Sequence, residues 1–179
     1  MTTSPPEALL AYMRTAPIPL TLGTLDQPDE PLVEVNEAFC RLTGYSRDEV
    51  IGRNCRFLQP QSEDVRDAKA RMRAFLNDPT VEAGRFEVPN LRADGTPFLN
   101  LVFMSRLKTA SGSGDLIFAS QFDLKPSRGV DDLKAYDAQL GRSIDDMADL
   151  GRNHGLMIRQ SAMLLSQSAV TIANLRLHG

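Results

Sequence analysis

Gly52-Arg53-Asn54-Cys55-Arg56-Phe57-Leu58-Gln59 places one thiol between an amide and a guanidinium, with a second amide four residues beyond it. Gly52, and Gly44 upstream, interrupt the apolar spacing of residues 36–57, so this region reads as several short helices instead of one long one. Toward the N-terminus, the apolar stretches 18–25 and 32–35 flank Asp26-Gln27-Pro28-Asp29-Glu30-Pro31, a loop rich in turn formers, and read as a strand pair. Toward the C-terminus, residues 63–77 read as one continuous helix. RFEVPNLR (85–92), PFLNLVFMSRLK (97–108) and DLIFASQFDLK (115–125) then read as three strands, joined at Asp94-Gly95 and Gly112-Ser113-Gly114. A strand pair, short helices, one connecting helix and three strands make an α+β order, with a five-stranded antiparallel sheet covered by helices on one face.

Outside this central domain, residues 18–124, the pattern changes on both sides. Ser4-Pro5-Pro6 followed by EALLAYMR reads as an N-capped short helix within an N-terminal cap, residues 1–17. Past Pro126 and Gly129 the periodicity is helical only, so residues 125–179 are expected to form a two-helix extension. Its second helix carries Ile158, Ala162, Leu165, Ala169 and Ile172 as one stripe, and Leu156, Met163, Val170 and Leu177 on another face. A helix apolar on two faces needs two partners, which points to a homodimer or to an unknown downstream signalling protein.

Composition narrows the function classes. The formal net charge is -3 with both signs interspersed, which argues against nucleic acid and anionic lipid as partners. No apolar run approaches the roughly 20 residues of a membrane span, and the first residues lack a secretory pattern, so a cytoplasmic location without membrane attachment is expected. The only cysteines, Cys40 and Cys55, have no histidine or second cysteine at ligand spacing, so neither a disulfide scaffold nor a metal site is expected. Cys40 lies in an apolar helical pattern and reads as a core residue.

The stretch 52–59 resembles the signature of the LOV (light, oxygen, voltage) blue-light photoreceptors of the PAS superfamily. The similarity extends to Val35-Asn36-Glu37-Ala38-Phe39-Cys40-Arg41-Leu42-Thr43-Gly44-Tyr45, to Asn90 with Asp94-Gly95-Thr96-Pro97-Phe98 and Asn100, and to Gln121. It implies the PAS/LOV fold and a bound FMN. It also implies that Cys55 is a nucleophile adding reversibly to flavin carbon C4a after illumination. Asn90 and Asn100 are implied at the polar edge of the ring, where a carboxamide supplies both donor and acceptor. Arg56 is implied at the phosphate, Asn54 and Gln59 along the ribityl chain and phosphate, and Gln121 as the relay that senses a proton arriving at flavin N5. For a second phosphate-binding arginine, Arg66, Arg71 and Arg73 compete, and Arg73 is chosen with a one-residue gap.

Departures from the family pattern are Pro60-Gln61-Ser62-Glu63 in place of Gly-Pro, Pro89 before Asn90, Arg106 where proline is common, and Ala119-Ser120 before Gln121. Proline within a strand implies an edge or a bulge. The resemblance is to a short photoreceptor without an effector domain, so no enzymatic activity is expected. A flavin-dependent oxidoreductase is the enzyme alternative, opposed by the lack of a nicotinamide-binding glycine motif. Residues 149–169 weakly resemble the helical hairpin of sensor histidine kinases, with His154 in the phosphoacceptor place, which keeps a light-gated kinase remnant as a further alternative. A helix-turn-helix reading of the tail is opposed by its sparse basic residues, Arg159 and Arg176.

Overall fold

In the computed structural model of the chain, which describes residues 5–108 and 115–124, five strands form one sheet. They are β1 (Leu20–Thr24), β2 (Leu32–Val35), β3 (Ala83–Leu91), β4 (Pro97–Lys108) and β5 (Asp115–Asp123). Their order is β2-β1-β5-β4-β3 and every pairing is antiparallel, as the α+β reading requires. The last strand therefore lies at the centre, between the first strand and the β3–β4 hairpin. Ser4, the 112–114 connection and the whole 125–179 extension lie outside the described residues.

Strand side chains alternate, and here the two faces have different partners. Leu20, Leu22, Leu101, Phe103, Leu107, Leu116, Phe118 and Phe122 share one face with Leu9, Tyr12 and Met13 of α1 (Glu7–Thr15), and all are buried. Burial of each large side chain is worth roughly 1.5–3 kcal/mol, so α1 is an integral layer of the core. The opposite face carries Thr21, Gly23, Val88, Asn90, Asn100, Val102, Met104, Ile117, Ala119 and Gln121, and these line a cavity.

Short helices close that second face. α2 (Glu37–Thr43) starts at Asn36, whose Oδ1 accepts the Phe39 N–H at 3.0 Å. It ends at Gly44, whose φ of 79° lies in the left-handed region that glycine enters without a Cβ penalty. α3 (Arg47–Val50) carries a capping box in which Glu49 Oε2 accepts from Ser46 N–H at 2.8 Å and from its hydroxyl at 2.7 Å. A 3₁₀ turn, Cys55–Leu58, follows. The helix expected over 63–77 instead begins as a separate 3₁₀ turn, Glu63–Val65, before α4 (Arg66–Asn77). Ser62 makes no side-chain capping bond there, and tightening into 3₁₀ geometry is a common way for a helix to begin.

Two departures from the family pattern acquire local explanations. Pro89 sits in β3, an edge strand, where a missing N–H is tolerated. Arg106, buried on β4, donates through Nη2 to the carbonyls of Phe75 at 3.2 Å and Leu76 at 3.1 Å, so it caps the end of α4 and pins it across the sheet. No described helix is long and apolar enough to cross a membrane.

Candidate functional site

Backbone bonds fix the thiol-bearing turn to β2. Gly52 N–H donates to Leu32 O at 2.9 Å, and Leu32 N–H donates to Arg53 O at 2.9 Å. Gly52 has φ 81°, which reverses the chain between α3 and the turn without steric cost. Asn54 then caps the turn, its Oδ1 accepting the Arg56 N–H at 2.9 Å. Phe57 packs edge-on against Tyr45 at 5.1 Å and lies under the Arg53 guanidinium at 4.4 Å, while Leu58 is buried. Capping and packing together hold Cys55 on the wall of the cavity.

The cavity and its open mouth together enclose about 710 Å³ of non-atom space. Its sheet wall carries a polar relay. Asn100 Nδ2 donates to Asn90 Oδ1 at 2.8 Å and to Gln121 Oε1 at 2.9 Å, and Gln121 Nε2 donates to Thr21 Oγ1 at 3.4 Å. All four residues are buried. Two acceptors in the wall, Asn100 Oδ1 and Gln59 Oε1, are buried without a partner. Burying an unsatisfied polar group costs about 1–3 kcal/mol, so both are suited to accept from a molecule in the cavity.

Burial pushes the Cys55 thiol up to about 12, opposed by a hydrogen bond with Gln121. Desolvation disfavours the thiolate, so Cys55 stays protonated through the neutral range. Cys40 is also raised, by burial and by the neighbouring charge of Glu37, and it packs beside Phe39, Val50 and Leu58.

The residues singled out from the sequence converge with one exception. Cys55, Asn54, Arg56, Gln59, Asn90, Asn100 and Gln121 all line the cavity. Arg73 does not: it is exposed, and α4 presents Met72 and Leu76 to the cavity. Of the two competitors, Arg71 is exposed and Arg66 pairs with Glu63 at 2.5 Å. Polar lining residues that the sequence did not single out are Thr21, which its alternation on β1 could have shown, and Glu30, from a loop read only as turn formers.

A single antiparallel sheet with short helices over one face and a cavity between them defines a PAS domain, and a family profile described as a PAS domain matches residues 21–125. Within that class the relatives are specific. A blue-light-activated histidine kinase of Erythrobacter litoralis is 35% identical over 153 residues, covering 86% of this chain and 42% of the relative. The crystal structure of the LOV protein of Rhodobacter sphaeroides superposes with a TM-score of 0.74 at 30% identity, covering 94% of each chain. The LOV domain of an Erythrobacter litoralis blue-light-activated histidine kinase superposes with a TM-score of 0.54 at 38% identity, over 60% of this chain and 95% of that one. The chain therefore belongs to the LOV family of blue-light photoreceptors. It spans less than half the length of the kinase relatives it matches.

Proposed function

We propose that the chain binds one flavin, as FMN, in this cavity, and that Cys55 is its photoactive nucleophile. The observation that carries the reading is the Cys55 thiol on the wall of a cavity whose sheet face also holds Asn100 Oδ1 without a partner. When bound, a flavin would supply a blue-absorbing ring that becomes electrophilic on excitation, and Cys55 would be the residue that offers it a sulfur and a proton. Everything else is done by side chains. Asn90 and Asn100 would hold the polar edge of the ring, where Asn100 Oδ1 is free to accept. Gln59, Asn54 and Arg56 would hold the ribityl chain and phosphate.

Gln121 carries the signal. It is bonded to Asn100 and Thr21 and is in contact with Cys55, so one turn of its amide exchanges donor for acceptor toward both strands that flank β5. Two residues on, Asp123 accepts from Arg92 at 2.6 Å at the end of β5, from which the chain runs into residues 125–179. Light thus acts on the strand that precedes residues 125–179. We propose that the extension, outside the described residues, translates this into altered self-association as a homodimer or into binding of a partner. The role of the described domain is the sensing of blue light.

Size-exclusion chromatography with light scattering, run in darkness and under blue light at several concentrations, tests the output. The mass or elution position is expected to differ between the two states. Superimposable profiles at every concentration would exclude light-dependent self-association.

A further inference from the structure

The mouth of the cavity carries an unusual arrangement: the guanidinium placed to meet a phosphate already has carboxylates. Arg56 Nη2 lies 2.5 Å from Asp29 Oδ1 and 3.7 Å from Glu30 Oε2. Asn54 is engaged by the same turn, its Nδ2 donating to Asp29 O at 2.6 Å and to Glu30 Oε2 at 3.1 Å. Asp29 and Glu30 have φ of 73° and 42°, a left-handed conformation that side chains with a Cβ rarely adopt, so contacts hold the turn in place. Glu30 itself lines the cavity. From α4 the cavity meets Met72 and Leu76, with no arginine there to add positive charge.

We propose that the Asp29–Glu30 turn is a specificity determinant that competes with a flavin's terminal phosphate for Arg56, and so narrows the chain's preference for FMN over riboflavin. The inference rests on the flavin reading above. Two carboxylates share the one guanidinium that lines the cavity, and a phosphate dianion is repelled by both unless it displaces one or shares the cation with them. The neutral ribityl end of riboflavin meets no such repulsion. The pairs are partly exposed to solvent, which screens them, so the effect is one of degree.

Affinities of the full-length apoprotein for FMN and for riboflavin, measured by quenching of flavin fluorescence, test this. Wild type is expected to prefer FMN by less than tenfold. D29N/E30Q is expected to bind FMN at least tenfold more tightly than wild type, with riboflavin affinity within threefold. D29N alone, in which asparagine suits the left-handed backbone, is expected to give an intermediate gain. An unchanged or weaker FMN affinity in the double variant would overturn the proposal, as would loss of both flavins, which would make the turn a structural wall. Failure of wild type to bind either flavin would instead overturn the flavin reading itself.

Discussion

Cys55→Ala is expected to retain flavin and its blue absorption while losing light-driven bleaching completely. The substitution removes one sulfur from the cavity wall and leaves Asn90, Asn100, Gln121 and Gln59 in place, at a stability cost of about 1 kcal/mol. Nothing else among the described residues can replace the thiol. Cys40, the second cysteine, packs with Phe39, Val50 and Leu58, is not part of the cavity lining, and is itself held as a thiol by burial and by Glu37. Absorbance followed through darkness, blue light and darkness again is the measurement. Bleaching with dark recovery in the variant would remove Cys55 from the photochemistry.

The second large effect concerns folding. Asn36→Ala is expected to lower stability by about 3 kcal/mol, because one buried carboxamide joins three segments. Its Oδ1 accepts from Leu20 N–H at 2.9 Å and Phe39 N–H at 3.0 Å, and its Nδ2 donates to Ile18 O at 2.8 Å and Ala16 O at 3.2 Å. The α1–β1 link, the start of β1 and the start of α2 all meet on this side chain. Alanine leaves buried backbone groups without their side-chain partner and removes a helix cap. Urea unfolding monitored by circular dichroism should show the loss as a lower midpoint at unchanged slope. A loss below about 1 kcal/mol would mean that water or backbone rearrangement replaces these bonds. Because Thr21 follows Leu20 on β1, the variant should also weaken retention of any cavity ligand.

Local rules made much of the architecture legible. Strand-like composition bounded by Asp94-Gly95 placed β3 and β4, proline at 89 argued for an edge or a bulge and β3 is an edge, and glycine at 44 and 52 broke the helical region where φ turns positive. The cavity wall was legible through the family resemblance, which singled out Asn90, Asn100 and Gln121. They share one face because their strands pair in antiparallel register.

What escaped the sequence depends on rotation and on distant partners. Arg73 is one residue from Met72, yet one residue on a helix is about 100°, enough to move a side chain from the cavity to solvent. Arg106 looked anomalous because the carbonyls it caps belong to a helix about thirty residues away. Asp29 and Glu30 read as turn formers, since nothing local reveals a salt bridge to Arg56 across the mouth of the cavity.

The most direct test of the central claim follows the thiol proton itself. Both cysteines are held in the S–H form, Cys55 by burial to about 12 and Cys40 by burial and Glu37, so infrared spectra of the flavin-loaded chain in darkness should contain two S–H stretches. Under blue light one of the two is predicted to vanish and to return in darkness in step with the recovery of blue absorption, with the Cys40 band as an internal reference. Persistence of both S–H stretches while the flavin bleaches would show that Cys55 does not bond to it, and would contradict the account.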